Sequence, residues 1–403
     1  MFRNSILLAV LALTALPAAE KSGLDPAALA RIPKRMQELV DQGQLAGAVT
    51  LVQRHGVATG IEAVGWADIE AKKPMRADTI FQIMSMTKPF VGTSIMMLAD
   101  EGKLAISDPV EKHLPEFRGQ MLIAARNADG SVLIKKPARP ITIFDLMTHT
   151  SGMSYLPPAG IAELNQRMHY KLADATLLYS QMPLEFEPGS KWQYSNLGIA
   201  ILGRIIEVRS GLAFEKFLET RIFTPLGMKD SHIFLPAEKQ ARLAAIYRKT
   251  ATGLEKAGPS MLGGDSMNYR KGAVYSAPEW GLYTTAADLA AFYQMLLNGG
   301  GANGKRIISK AGIDTMTRKQ TGDLRSGHMP HTAFGLTWEV IDDPRGELAY
   351  LSTGTYGHGG AFGTHGWVDR QKNMVGVYLV QMTAVDATGK YAFMQMANAA
   401  VVD

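Results

Sequence analysis

Strand-like sequence stands at both ends of this chain with helical patterns between, and that arrangement restricts the fold more than any other feature. Near the start, AGAVTLVQRHGVATGIEAVGWAD reads as two strands joined by a turn. The last third returns to that character in TAFGLTWEV, GELAYLST, GGAFGTHGWVD and NMVGVYLVQM, closed by a helical pattern over residues 390–400. Between them, helical spacing covers residues 162–181, 197–210 and 285–298, and MLIAARNADGSVLIKK carries an Asp-Gly turn signal that predicts a hairpin excursion. Residues 26–42 also have helical spacing, with Pro33 expected to kink the helix. Strands from distant segments must pair with one another. The expectation is an α+β fold: an antiparallel β-sheet flanked by helices, with a mostly helical subdomain inserted roughly within residues 100–280.

No low-complexity linker, internal repeat or charged tail follows Gly23, so residues 24–403 are expected to form a single folded unit. Composition, at 46% hydrophobic and 20% charged residues, is that of a globular protein able to bury a full core. The net charge of +5 comes from scattered Lys and Arg, so no nucleic-acid partner is expected. The absence of cysteine excludes disulfides, thiolate zinc sites and a Cys nucleophile, and leaves the compartment open.

The N-terminus speaks to location. In MFRNSILLAVLALTALPAAE one Arg precedes an apolar run from Ile6 to Leu16, then Pro17, Ala18 and Ala19. This predicts a signal peptide over residues 1–19 and an exported protein, periplasmic or secreted, with no transmembrane span after its removal. The run is short of the roughly 20 apolar residues a membrane span needs. An uncleaved apolar helix is the alternative.

Candidate chemistry begins at SMTK. Ser85 and Lys88, three residues apart, share one face if the segment is helical, and Pro89 places Ser85 at or just before the helix start. A serine hydroxyl becomes a nucleophile when a base takes its proton, and a lysine serves only if its pKa falls well below its usual value of about 10.4. EPGSKWQYSN offers two further groups, Tyr194 to shuttle a proton with help from a nearby ammonium and Asn196 to fix Lys88 and a substrate carbonyl; its plain reading is a loop before a helix. In TYGHGGAFGTHGWVD, consecutive glycines allow a strand edge to approach a ligand, and the N–H groups of Ala361 and Ser85 together would form an oxyanion hole. A bulge or turn is the plain reading there. Order and separation, rather than any one motif, carry the functional reading.

Taken together these elements resemble the serine β-lactamase and penicillin-recognising hydrolase superfamily, in which they match the S-x-x-K, Y-x-N and K-T-G boxes. The similarity extends through ITIFDLMTHTSGM, YSNLGIAILGRIIEVRSG, IFTPLGM and GLYTTAADLAAFYQMLLNGG, and is greatest toward class C β-lactamases and family VIII carboxylesterases. By that resemblance Ser85 is the acylated nucleophile, Lys88 and Tyr194 handle its proton, and Asn196 orients substrate. The implied fold is an antiparallel sheet with flanking helices and a helical subdomain, the site lying between them.

One box departs from the family. Where Lys-Thr-Gly is usual, this chain has His358, Gly359 and Gly360. The family's Lys helps bind a substrate carboxylate; a histidine, with an ordinary pKa of about 6.5, is mostly neutral at pH 7. Carboxylate capture there should weaken, and esters lose less by this than β-lactams.

Other signals are thinner. There is no G-x-S-x-G elbow and no H-E-x-x-H, and neither a metal nor a cofactor is expected. His328 and His331 read as loop residues, His149 as support for a turn, Met84, Met86, Met96 and Met97 as core packing, and Trp192 and Trp338 as core or acyl-pocket residues. The leading expectation is a serine hydrolase acting on a small-molecule ester or amide, foremost a carboxylesterase on short acyl chains. The alternatives are a β-lactamase or D-amino-acid peptidase, and a non-catalytic ligand-binding protein on the same scaffold.

Overall fold

The computed structural model describes residues 21–157, 168–257, 272–383 and 386–403. The leader expected over residues 1–19 and part of the 162–181 helical pattern lie outside the described residues. No helix among the described residues is long and apolar enough to cross a membrane.

The chain opens with α1 (Pro26–Leu29) and α2 (Arg31–Asp41). The expected kink is a break at Ala30, and Pro33 falls in the first turn of α2, where its missing N–H leaves no bond unmade. β1 (Gly47–Arg54) and β2 (Val57–Asp68) form the expected pair, and β3 (Lys73–Pro74) adds a short edge. The middle of the chain holds α3 (Lys88–Asp100), the hairpin β4 (Leu122–Arg126) and β5 (Val132–Lys135), then α4 (Leu172–Ser180), α5 (Asn196–Ser210) and α6 (Ala286–Leu297). The last third gives β6 (Thr332–Phe334), β7 (Glu339–Ile341), β8 (Tyr356–Gly359), β9 (His365–Asp369), β10 (Met374–Leu379) and α7 (Thr388–Ala399).

Eight strands form one antiparallel sheet in the order β6, β7, β8, β9, β10, β1, β2, β3. The two ends of the chain meet at its centre, where Val49 pairs with Leu379 and Thr50 with Tyr378. β1 is buried on both faces and its side chains alternate between two cores. Val49 and Leu51 enter the large core shared with α3, α5 and α6; Ala48 and Val52 enter a second core under α2 and α7. The sheet is therefore the middle of three layers.

Three strand expectations need correction. GELAYLST contains a single 3-10 turn (Gly346–Leu348) in place of a strand, because its two buried leucines, Leu348 and Leu351, are three apart and point the same way into the second core. TAFGLTWEV splits into β6 and β7 around Thr337, whose φ of 67° breaks the extended run. GGAFGTHGWVD begins as a turn: Gly360 N–H donates to Thr364 O at 2.8 Å, Gly363 takes a φ of 83°, and only the second half enters β9.

Candidate active site

Ser85 lies in a single 3-10 turn (Met84–Thr87) that runs directly into α3, with Pro89 as the second residue of that helix. Met84, just ahead of the serine, has a φ of 50°, a left-handed conformation that costs a non-glycine residue on the order of 1–2 kcal/mol. The turn holds because Thr87 Oγ1 donates to Met84 O at 2.7 Å and accepts from Leu282 N–H at 3.1 Å. Lys88 is fully buried at the head of α3, and its Nζ donates to Ser85 Oγ at 2.9 Å and to Glu279 O at 2.6 Å. Burial lowers its pKa to about 7, against the opposing pull of the Glu279 charge. A buried amine whose pKa is drawn down toward neutrality, hydrogen-bonded to a serine, can take that serine's proton.

Tyr194 comes from the loop before α5. Ser195 is the N-cap of that helix: its Oγ accepts from Gly198 N–H at 3.0 Å and donates to Ser154 O at 2.8 Å. His149 Nδ1 accepts the Ser195 N–H at 3.2 Å, and the His149 ring packs 4.4 Å from that of Tyr194, so this histidine fixes the loop from behind. Tyr194 and Ser85 line the same cavity. Burial raises the Tyr194 pKa, and Lys88 Nζ sits over its ring, 4.8 Å from the centroid. Asn196 does not reach Lys88, whose second partner is Glu279 O. Its Oδ1 is buried without a protein partner among the described residues.

The third element is the end of β8. Gly360 packs so tightly that a Cβ there would lie 2.3 Å from Ile83 O, two residues ahead of the serine, which explains glycine at this position. His358 is buried, and its Nδ1 bonds Gly359 O at 2.7 Å, leaving Nε2 as an acceptor with no protein partner among the described residues. Burial, reinforced by the charge of Lys88, lowers the His358 pKa to about 3. It is a neutral group in the place of the family's cation.

Ser85, Tyr194, His358, Gly359, Gly360 and Ala361 line one cavity of about 440 Å³, with Lys88 directly beneath the serine. Asn196 is not on its wall. Two groups that sequence reasoning did not place there are His328, whose ring packs 4.7 Å from Tyr194, and Glu339, whose Oε1 accepts the His328 N–H at 2.9 Å. Although burial opposes ionisation, bonds and charge from His328 hold the Glu339 carboxyl down to about 2. The only signal for Glu339 was an acidic residue inside an apolar strand pattern; for His328, a loop residue as expected, there was none. Trp338 is core, while Trp192 packs edge-on against His149 and His328 beside the site. No cluster of His, Asp and Glu among the described residues is arranged to hold a metal ion.

The profile of the β-lactamase family matches residues 32–401. The chain belongs to the β-lactamase family. Esterase EstB of Burkholderia gladioli is 32% identical over 395 residues, covering 91% of this chain and 95% of its own. Protein Rv1367c of Mycobacterium tuberculosis is 31% identical over 364 residues, 86% of this chain and 88% of its own. Among solved structures, EstCE1, described as a hydrolase with promiscuous acyltransferase activity, superposes with a TM-score of 0.75 at 25% identity, covering 94% of this chain and 99% of that one. The protein is an enzyme of this family, a hydrolase on the β-lactamase fold.

Proposed function

We propose that this hydrolase is a carboxylesterase that forms an acyl-enzyme at Ser85 and acts on esters of short acyl chains. The observation that carries the reading is the buried Lys88 amine 2.9 Å from Ser85 Oγ, a nucleophile and base prepared in the free enzyme. In acylation, Lys88 takes the Ser85 proton as Oγ bonds the ester carbon, and the N–H groups of Ser85 and Ala361 donate to the developing oxyanion. The C–O bond then breaks, Tyr194 gives its proton to the departing alkoxide, and the Lys88 ammonium returns a proton to Tyr194. Water repeats the sequence to release the acid. Two features favour esters over β-lactams: the neutral His358 in the carboxylate-binding box, and the named esterase activity of a relative matched over nearly its whole length.

Fluorophosphonate labelling, with the modified residue mapped by mass spectrometry, tests the nucleophile. Label on Ser85, lost in Ser85→Ala together with p-nitrophenyl acetate hydrolysis, is the expected result. Hydrolysis by Ser85→Ala at wild-type rate would overturn the mechanism, and a higher kcat/KM for a cephalosporin than for p-nitrophenyl acetate would overturn the ester preference.

A further inference from the structure

Three consecutive apolar side chains stand in solvent on the hairpin of β4 and β5. Val132, Leu133 and Ile134 are 41%, 61% and 45% exposed, and because successive strand residues point to opposite faces, neither face of β5 is covered. β4 and β5 form a two-stranded sheet of their own. The body of the protein holds it by β4, where Ile123 N–H donates to Leu184 O at 2.9 Å and Leu184 N–H donates to Met121 O at 2.8 Å. β5 is therefore the outer edge, and among the described residues it pairs with no strand but β4. At the turn, Asn127 N–H donates to Ser131 O at 2.9 Å, so the Ser131 carbonyl faces β4. The one irregularity of the pair is a bulge on β4 at Ala124, which leaves the alternation along β5 unbroken. The backbone groups of Leu133 and Lys135 then face β4 as well, and those of Val132 and Ile134 lie on the open edge.

An open apolar edge is a template for another strand. We propose that this edge is a self-association site, at which β5 of a second copy pairs antiparallel with β5 about a two-fold axis through Leu133. In that register Val132 lies opposite Ile134 of the second copy, and the open groups of the two strands exchange four hydrogen bonds. Leu133 meets its own counterpart on one face, while both copies of Val132 and Ile134 cluster on the other. Charge selects the same arrangement. Lys136, just after the strand, and Asp129, in the turn before it, have opposite signs, and neither makes an ion pair among the described residues; the two bonds to Asp129, from Ser131 N–H at 2.9 Å and Ser131 Oγ at 2.7 Å, both go to Oδ1. Continuing the register places Lys136 of each copy opposite Gly130 of the other, beside its Asp129. Parallel pairing would set like charges together. The assembly also stops at two copies, because the four-stranded sheet ends on β4 at both sides and each β4 is already held at its base by Leu184. A lipid surface fits less well, since the tip of the hairpin presents Asn127, Asp129 and Ser131 and not its apolar residues.

A strand edge of four residues buries less than the roughly 1,200–2,000 Å² of a standard stable interface, so the dimer is reversible. Sedimentation equilibrium of the purified protein, from low micromolar to several hundred micromolar, tests it: the weight-average mass should rise with concentration toward twice that of the monomer. Leu133→Asp and Leu133→Lys each set like charges face to face on the axis and should raise the midpoint concentration by about tenfold or more. An equimolar mixture of the two should recover the dimer, because Asp then meets Lys. Ile134→Pro removes an outward N–H, which an edge strand tolerates, and should weaken pairing as well. Neither residue lines the cavity of Ser85, so p-nitrophenyl acetate hydrolysis and the urea midpoint should stay near wild type and report that each variant is folded. A wild-type mass that stays that of the monomer at every concentration overturns the proposal, as does a dimer that Leu133→Asp leaves unchanged. Loss of the dimer in both charge variants without recovery on mixing overturns the two-fold pairing at Leu133. Monomeric protein that co-sediments with vesicles of phosphatidylglycerol and phosphatidylcholine, and no longer does so as Leu133→Asp, would overturn it in favour of lipid.

Discussion

In the mechanism proposed above, Lys88 concentrates the chemistry in one titration. A lysine in water would be protonated at pH 7 and useless as a base. Removing it from water lowers its pKa to about 7, although Glu279 opposes the shift. The proton must be off for Ser85 to be activated, so kcat/KM for p-nitrophenyl acetate should rise as pH increases through about 7 and level off above it. A flat profile between pH 5 and 9 would remove Lys88 from the role of base. His358 lies far below this window, at about 3, so it should contribute no second inflection there. Lys88→Arg should lose activity at every pH in the range, because a guanidinium does not give up its proton.

At the scale of elements, the loop before α5 shows how much of the site a sequence can carry. Y-S-N was readable as a loop entering a helix, and Ser195 does cap α5. The box order was readable too, and with it the meeting of Ser85, Tyr194 and the end of β8, since each sits at an element boundary marked by Pro, Ser or Gly. Side-chain partners were not. Lys88 finds Glu279 O, a carbonyl 191 residues away, and not Asn196, and no pattern in the sequence announces a backbone acceptor. GELAYLST misled because a spacing of three between buried leucines can hide in an apolar run. Ser195→Ala tests the loop as a unit. Losing a cap costs about 1 kcal/mol, up to about 2 where it is well buried, as Ser195 is. Ser154 O would also lose its donor, and Tyr194 its anchor. We expect a lower urea midpoint together with a lower kcat; an unchanged kcat would show that His149 alone holds the tyrosine.

The described fold is closed where residues 22–25 meet residues 400–403. Leu24 bridges Val401, Asp25 N–H donates to Ala400 O at 2.7 Å, and the buried Arg54 gives hydrogen bonds to Ser22 O and Gly23 O while pairing with Asp403. These contacts lie with α2 and α7 on one side of the sheet, whereas Ser85 and Lys88 belong to the layer on the other. Phe393 on α7 is fully buried, edge-on to Trp367 at 5.3 Å and stacked on Tyr378 at 5.9 Å. Truncating such a ring to Ala costs about 3–5 kcal/mol, a large part of a typical total of about 5–15 kcal/mol. Phe393→Ala should therefore lower the urea midpoint strongly with little change in the slope of the transition. Measured on the folded fraction, kcat/KM for p-nitrophenyl acetate should change by less than about twofold, since Phe393 itself does not line the cavity of Ser85. A larger loss would mean that the terminal layer supports the Ser85 turn itself, and that the sheet transmits strain between its two faces.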